Sequence, residues 1–369
     1  MSSSSRLLLS SQAGLPSDPR VWSGTPYKIF NAIAAEGRLQ PQPWSSAAAS
    51  LATQRADRAL RLGHRFIPGP ARRWQAARAA NAEAERLGCV AQLHLGTYDA
   101  PMRAGPRPYY LYVDSSYDFW EQHAIAAGEL SAHQRRSYRW LDRQALQAAR
   151  HIFTAGRHVA DNMVRRLGVP AAKVSAIGTG MGDIQPYFGT KDYRRQRLLI
   201  VAKNRPRDKG LPLLLAAFER ARAQLPELHL TVIGGAKYPE LKDRPGIEPT
   251  GWISAEELQR LFEQASLFVM PATYEPWGLS YLEALACRVP IVGLDRGAFP
   301  ELSGEGRYGF TLRSATDEAL AALIIDALGN PQCLEQMGAE GQRASLERCR
   351  WERVAADMVA RIVADTRPA

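Results

Sequence analysis

The sequence lacks the features that mark several classes of protein. Its four cysteines lie far apart, with no Cys-x-x-Cys pair and no histidine at ligand spacing, so neither a zinc motif nor a disulfide framework is indicated. No apolar run approaches the roughly 18 residues that a membrane-spanning helix needs. Residues 1–11 contain one short leucine run, and Arg6 is the single positive charge ahead of it, so they do not make a signal peptide. We therefore expect a cytoplasmic protein, attached to a membrane at most peripherally.

The chain also lacks any concentrated block of charge, although it is basic overall. Lysine and arginine number 47 against 37 aspartates and glutamates, which gives a formal net charge of +10. Such a charge favours anionic partners such as nucleotides, nucleic acids or acidic membrane surfaces. The basic residues stand in short pairs, for example Arg72-Arg73, instead of a stripe interleaved with aromatic residues. We therefore expect no nucleic-acid partner and leave open a peripheral contact with an anionic membrane.

Length and patterning indicate two α/β domains. A chain of 369 residues with 46% apolar residues can bury two cores. Apolar strand-like runs alternate with helical ones, which predicts parallel sheets with right-handed crossovers. A glycine-rich stretch separates an N-terminal domain, 1–180, from a C-terminal domain, 181–350, and a last helix is predicted over 351–369. The predicted strands are 6–10, 89–95, 108–113, 150–154, 174–177, 198–202, 228–233, 267–270 and 291–294.

The strongest chemical signal lies in residues 271–292. A buried strand is predicted to run into a loop containing Glu275 and Gly278, and a helix begins one or two residues later. Free N–H groups at a helix start can bind a diphosphate, and a glycine lets the phosphate approach the backbone. Glu283 is predicted in the first helical turn, where its carboxylate can accept two hydrogen bonds from a ribose diol. On spacing alone, a surface glutamate that stabilises the helix dipole remains the alternative.

A second signal is the basic loop that follows the strand predicted over 198–202. It contains Lys203, Arg205 and Lys209, and ends at Gly210. Cationic side chains at the carboxyl end of a strand can neutralise a diphosphate leaving group. The alternative is a solvated surface turn.

Together these segments resemble the family 4 retaining glycosyltransferases, the group 1 glycosyl transferases with the GT-B fold. Residues 271–279 match the family's Pro-Ala-x-Tyr-Glu-Pro-x-Gly-Leu, and Glu-Ala-Leu-Ala-Cys-x-Val-Pro-Ile-Val follows from Glu283 onward. The resemblance is firm over roughly residues 150–350 and faint before them. It implies an α/β fold with two Rossmann-like lobes (GT-B) facing a central cleft, and a last helix that returns to the first lobe.

The resemblance also implies roles for the residues of the first segment. In the family, the residue matching Glu275 contacts the donor sugar, and those matching Gly278 and Leu279 donate backbone N–H groups to the phosphates. The residue matching Glu283 binds the ribose hydroxyls. The same donor-binding segment includes Pro276, Trp277 and Ser280.

In the basic loop, the resemblance implies a pair of cations that bind the donor phosphates. This chain has one residue more than is common between Lys203 and Lys209, so Lys203 and Arg205 compete for the first position and Lys209 takes the second. Trp252-Ile253 resembles the family's turn whose backbone meets the nucleotide base. Packing of Trp252 on a hydrophobic core is the alternative.

Four residues of the first domain complete the candidate site. Gly24 and Thr25 resemble the family's glycine loop near the diphosphate or acceptor, and Thr25 is the predicted N-cap of the helix that follows. Family members often carry a histidine at a strand end lining the cleft, and Asp114 stands at the best-matching position. His94 is the alternative catalytic residue. A structural role for His94, and a helix-capping role for Asp114, stay open.

The sequence therefore predicts a retaining glycosyltransferase of the hexosyltransferase type, acting in glycan or glycoconjugate biosynthesis. Asp114, Glu275 and Lys209 are the predicted catalytic residues, and the nucleoside-diphosphate sugar is the predicted donor. The acceptor is a glycan, a lipid-linked molecule or a small molecule. No Asp-x-Asp metal motif is evident, so we expect neither a metal nor another cofactor. A GT-B-shaped sugar-nucleotide epimerase and a non-catalytic nucleotide-sugar binding protein are the alternatives.

Overall fold

The computed structural model describes residues 5–46, 50–64 and 67–366. Over these residues the chain forms two compact units. The first unit comprises Met1–Gln122, Ala126–Gly180 and Arg350–Ala369, and the second comprises His123–Ile125 and Met181–Cys349, each as far as it is described. Apart from the short segment His123–Ile125, the chain leaves the first unit after Gly180 and returns to it at Arg350.

The first unit is built on a parallel sheet. Within the described residues it has six strands in the order β2-β1-β3-β4-β5-β6. The central strands β3 and β4 are buried along their whole length, as apolar strands covered on both faces should be. The strands are β1 Ser5–Ser11, β2 Leu39–Trp44, β3 Ala91–Leu95, β4 Tyr109–Val113, β5 His151–Thr154 and β6 Val174–Ala176. The helices are α1 Thr25–Glu36, α2 Leu51–Ala59, α3 Pro70–Arg86, α4 Tyr117–His123, α5 Ala132–Ala148 and α6 Arg157–Arg165.

Strand β2 is absent from the sequence prediction. Its sequence, Leu-Gln-Pro-Gln-Pro-Trp, contains two prolines and little apolar patterning. A central strand forms hydrogen bonds with a neighbouring strand on each side, and proline has no N–H to donate to them. Because β2 lies at the edge of the sheet beside β1, it tolerates both prolines.

The second unit repeats the architecture with a different strand order, β12-β11-β10-β7-β8-β9 among the described residues. Its strands are β7 Arg197–Val201, β8 His229–Ile233, β9 Ile247–Thr250, β10 Leu267–Val269, β11 Ile291–Leu294 and β12 Gly309–Leu312. Its helices are α7 Leu211–Arg222, α8 Ala255–Gln264, α9 Leu279–Ala286, α10 Phe299–Leu302, α11 Asp317–Leu328 and α12 Pro331–Arg348. The order reverses between β7 and β10, and ligands of open α/β sheets bind beyond the carboxyl ends of strands at such a point. The predicted α/β class with two Rossmann-like lobes is confirmed.

The last helix, α13 Trp351–Thr366, belongs to the first unit and packs against α1. The Arg353 guanidinium donates to the Ile177 carbonyl at 2.6 Å, and the Tyr110 hydroxyl donates to the Asp365 carboxylate at 3.2 Å. These bonds tie both ends of the helix to the sheet. Among the described residues, no helix combines the length and apolar character required to cross a membrane.

Candidate functional site

The candidate donor site lies where the order of the second sheet reverses. The loops that follow β7 and β10 leave neighbouring strands at the same edge, and they bring Lys209 and Glu275 together. The Lys209 Nζ lies 3.4 Å from the Glu275 Oε2, and the two side chains are only 14% and 17% exposed. Glu275 Oε2 accepts no hydrogen bond from the described residues, so this ion pair lacks hydrogen-bond geometry. The carboxylate oxygen therefore retains its capacity to accept a hydroxyl of a ligand.

Backbone contacts hold these two loops against each other. The Asp208 carbonyl accepts the N–H of Thr273 at 2.8 Å and the Thr273 hydroxyl at 3.2 Å. Gly210 has a φ of 77°, and a β-carbon there would lie 2.1 Å from the Pro271 carbonyl oxygen. Only glycine permits so close an approach of the two loops. The separation of Lys209 and Glu275 is thus set by the backbone.

Helix α9 starts at this edge and leaves N–H groups without acceptors. It begins at Leu279, as the sequence predicts, with Gly278 as a left-handed N-cap at φ 95°. The N–H of Tyr281 donates to the Gly278 carbonyl at 2.9 Å. Those of Leu279 and Ser280 have no acceptor among the described residues. Two free N–H groups and the positive end of the helix dipole are suited to a phosphate.

The predicted position of Glu283 in the first helical turn is wrong. Because α9 begins at Leu279, Glu283 is its fifth residue, and the first turn has no acidic residue. A helical side chain points back toward the N-terminus, so the carboxylate still lies near the start of the helix. It packs against Gly182, where a β-carbon would lie 2.3 Å from the Glu283 Oε1. A half-buried carboxylate in this position does not match the surface dipole role that the sequence left open.

The two cations that compete for one role diverge in the structure. The Lys203 Nζ lies 5.5 Å from the centroid of the Trp252 ring, and the Arg205 guanidinium lies 5.2 Å from that of Tyr274. Arg205 has a φ of 52°, a left-handed conformation that is unusual for a residue other than glycine. Lys203 therefore lies on the side of the turn after β9, whereas Arg205 lies next to the neighbour of Glu275.

Trp252 does not pack on a hydrophobic core, so that alternative is wrong. It lies in the turn after β9, and its side chain is 88% exposed. Ile253, the next residue, is half-buried. On the other side of the site, Pro276 is half-buried, and Trp277 is 6% exposed with an indole N–H that has no acceptor among the described residues.

In the first unit, Gly24 and Thr25 lie at the start of α1. Gly24 is the N-cap, with a φ of 76°, and Thr25 is the first helical residue, so the predicted N-cap at Thr25 is wrong by one residue. Trp22 and Ser23 are also left-handed, with φ values of 45° and 53°. Three consecutive left-handed residues bring the chain around sharply into the helix, and only the last of them is a glycine. Thr25 is 7% exposed.

Asp114 directly follows β4 and is half-buried. It does not cap the following helix, because the Ser116 hydroxyl accepts the N–H of Phe119 at 3.1 Å at the start of α4. The capping alternative for Asp114 is therefore wrong. Its position at the carboxyl end of a central strand agrees with the position that the resemblance implies.

His94, the alternative catalytic residue, is completely buried within β3. Its Nε2 lies 3.2 Å from the Gln92 Oε1, and its Nδ1 lies 3.4 Å from the Asp99 Oδ1. The Asp99 carboxylate also accepts a hydrogen bond from the Ser10 hydroxyl. This enclosed network favours the structural role that the sequence left open.

The sequence analysis did not identify Gly182 and Asp208 as parts of the donor site. Gly182 lies just after the predicted domain boundary, and it makes room for the Glu283 carboxylate. Asp208 lies within the basic loop, and its carbonyl anchors the loop that carries Glu275. Both roles depend on contacts between distant parts of the chain, which single-sequence patterns do not contain.

Comparison with known proteins identifies the family to which the second unit is similar. Residues 195–330 match the family model described as Glycosyl transferases group 1, so the second unit contains a domain of that family. The GDP-mannose-dependent alpha-(1-6)-phosphatidylinositol monomannoside mannosyltransferase of Mycolicibacterium smegmatis is 30% identical over 158 residues, 39% of this chain. The chain spans 41% of the length of that relative.

Solved structures show the same fold over nearly the whole chain. Sucrose-phosphate synthase from Thermosynechococcus elongatus superimposes with a TM-score of 0.75 at 17% identity and covers 98% of this chain and 100% of its own. HepE of Anabaena, solved in complex with UDP and glucose, gives a TM-score of 0.66 at 16% identity with the same coverage of both chains. The fold is therefore that of the GT-B glycosyltransferases.

Proposed function

We propose that this protein is a glycosyltransferase that moves a hexosyl group from a nucleoside-diphosphate sugar to an acceptor hydroxyl. The observation that carries the proposal is the arrangement at the edge of the second sheet. An ion-paired Lys209 and Glu275 stand there beside the free N–H groups at the start of α9. The mannosyltransferase activity for which the mycolicibacterial relative is named and the UDP and glucose in the Anabaena structure support it.

Each part of the donor has a candidate partner in this arrangement. The N–H groups of Leu279 and Ser280 receive the diphosphate, and the Lys209 ammonium neutralises the charge that develops on it. The Glu275 carboxylate accepts a hydroxyl of the sugar. The Glu283 carboxylate accepts the two ribose hydroxyls, in charge-assisted hydrogen bonds.

The proposed transfer keeps the configuration of the anomeric carbon. The bond between the anomeric carbon and the phosphate oxygen breaks, and the acceptor oxygen bonds to that carbon on the same face, with retention. The departing phosphate oxygen takes the acceptor proton. Asp114 remains the proposed catalytic residue of the first unit, and transfer is proposed to require no metal.

The proposal extends to the class of acceptor and the place of action. A glycan, a lipid-linked molecule or a small molecule is the acceptor, in glycan or glycoconjugate biosynthesis. The lipid-linked class is supported by the phosphatidylinositol monomannoside in the name of the mycolicibacterial relative. We also propose that the protein acts in the cytoplasm, in peripheral contact with an anionic membrane.

A thermal-shift panel of nucleoside diphosphates and their sugars tests the proposal. A ligand at 100 times its dissociation constant adds about 2.7 kcal/mol to the free energy of unfolding. We expect at least one of them to raise the melting temperature, and Glu283→Ala to abolish that rise. If none of them shifts the wild-type chain, the donor site is wrong.

Turnover distinguishes transfer from the two alternative functions. The stabilising donor is incubated with and without a panel of glycan and lipid acceptors. Product that needs an acceptor supports transfer, epimerised sugar nucleotide from donor alone supports the epimerase, and binding without product supports a binding protein. The coupling constant of the new anomeric proton tests retention. Equal rates with and without a chelator test independence from metal.

A further inference from the structure

The first unit carries an exposed basic and apolar strip, which we define as His133, Arg136, Trp140 and Arg143 of α5 together with Leu60 at the end of α2. We infer that this strip is the surface by which the protein docks on an anionic lipid bilayer. The inference rests on the proposed peripheral membrane contact and assigns that contact to particular residues.

The four residues from α5 lie along one face of the helix. Their spacing of three, four and three residues keeps them in line over about 15 Å of helix. All four are exposed, and Trp140 is 57% exposed. The opposite face of α5 is buried in the core of the first unit through Tyr138, Leu141, Ala145 and Leu146. The strip is therefore free to meet a partner along its whole length.

The end of α2 extends the strip with an aliphatic side chain. The Nε2 of His133 lies 3.0 Å from the Leu60 carbonyl oxygen, which joins the start of α5 to this end. Leu60 is 51% exposed. Leu60, whose carbonyl lies beside His133, and Trp140, one turn after Arg136, thus add two large exposed apolar side chains to the strip.

The charge of this surface is uncompensated. The acid of α5, Asp142, is buried and accepts the N–H of Tyr117 at 3.0 Å, and that of α2, Asp57, is buried against Arg72. Neither Arg136 nor Arg143 forms an ion pair in the described part of the chain. The nearest exposed acid along the chain is Glu129, just before α5, and the neighbouring Glu121 is held by Arg139 at 2.7 Å.

This composition fits a bilayer of anionic lipids. Tryptophan is enriched at membrane interfaces, and a helix lying in the interface presents arginine or lysine together with tryptophan and leucine. Each arginine near an anionic leaflet raises partitioning by about fivefold. A nucleic acid could use the arginines and the indole, but it offers no apolar phase for Leu60.

Sedimentation of the full chain with lipid vesicles tests the inference. We expect binding to vesicles of phosphatidylcholine with phosphatidylserine, weaker binding to phosphatidylcholine alone, and release as salt screens the charges. Arg136→Glu combined with Arg143→Glu should lower the partition coefficient by about 100-fold or more, since two charges reverse. Trp140→Ala should lower it by about tenfold without changing its salt dependence.

Matched substitutions in the second unit provide the controls. Arg194→Glu with Arg195→Glu makes the same change of net charge at exposed positions, and Phe188→Ala removes a side chain that is 73% exposed. Both should leave partitioning within about twofold of the wild type, because neither changes a residue of the strip. The inference is overturned if the wild type does not bind vesicles. It is also overturned if the strip variants and the control variants reduce binding equally.

Two further readouts separate this inference from others. The strip variants should keep the thermal shift by nucleoside diphosphates, so loss of vesicle binding alone leaves the proposed transferase standing. If instead no nucleoside diphosphate or its sugar shifts the melting temperature of the wild type, the proposed function is wrong and the docking surface still stands. Tight, strip-dependent binding of a random oligonucleotide with no vesicle binding would replace the bilayer by a nucleic acid.

Discussion

The Glu283 carboxylate and the Gly182 backbone occupy adjoining space in the second unit, with no room for a side chain between them. A β-carbon at position 182 would lie 2.3 Å from the Glu283 Oε1 and 2.9 Å from its Cδ. The position of the proposed ribose-binding carboxylate therefore depends on a glycine far away in the sequence.

Gly182→Ala should weaken nucleoside-diphosphate binding almost as much as Glu283→Ala does. The new methyl group displaces the carboxylate, and the loss of charge-assisted hydrogen bonds of about 1.5–3 kcal/mol each predicts at least a tenfold weaker affinity. Isothermal titration with the stabilising nucleotide measures it. Gly105→Ala is the matched control, because a β-carbon there meets no atom within 4 Å. Additive losses in the double variant would show that Gly182 does not act through Glu283.

Lys209→Met should lower the rate of transfer by about 100-fold or more, the usual effect of removing one charge-stabilising group. Lys209→Arg should recover part of the rate, because it keeps the charge but alters the distance to Glu275. Initial rates at saturating donor measure the effect, with circular dichroism to confirm folding. Lys242→Met, at an exposed position of the same unit, is the control. A rate within twofold of the wild type for Lys209→Met would remove Lys209 from the mechanism.

Trp252→Ala should weaken binding of nucleoside diphosphates and leave binding of inorganic pyrophosphate unchanged. The indole is exposed with Lys203 beside it. In the proposed donor site it stacks on the base, and base–aromatic stacking is worth about 1–3 kcal/mol. Trp252→Phe should retain most of the affinity. The control is Trp74→Ala, which removes an indole of the first unit that is 56% exposed. Equal weakening of pyrophosphate would point to a disturbed loop instead of lost stacking.

His151 should make the protein less stable in mild acid. Burial, together with the nearby Arg361, lowers the pKa of His151 to about 4. The unfolded imidazole takes up a proton below its ordinary pKa of 6.5, whereas the folded one does so only near 4, so stability falls as the pH drops through this window. The loss approaches about 3 kcal/mol at the lower end.

Urea unfolding at pH 7 and pH 5 measures this dependence. His151→Asn should flatten it, even if the variant is less stable at both pH values. The exposed His229, replaced by asparagine, is the control and should leave the pH dependence unchanged. An unaltered slope for His151→Asn would show that another group titrates in this window.

The strands of the sheet interiors were predictable, but several edge strands were not. Buried runs such as Leu7 to Ser10 are apolar enough to predict a strand from sequence alone. β2, β9 and β12 lie at sheet edges and contain proline or glycine, because an edge strand needs fewer ladder bonds and less burial. Local patterns therefore gave no signal for them.

Some features of the candidate site were likewise predictable from the sequence, and others were not. Glu275, Gly278 and the start of α9 are close in the sequence, so local pattern and resemblance together located them. The exposure of Trp252 and the separation of Lys203 from Arg205 were not predictable. They depend on how little of the turn after β9 is covered by the rest of the unit and on which aromatic ring lies beside each cation.

By itself, the sequence determined the alternation of strands and helices, the α/β class and the start of α9 after Gly278, because each follows from residues near one another in the chain. Only the tertiary structure decided that Glu283 rests on Gly182, that Lys209 pairs with Glu275, and that His94 is enclosed. These contacts join segments that are distant in sequence, and their geometry follows from the order in which parallel strands assemble in each sheet.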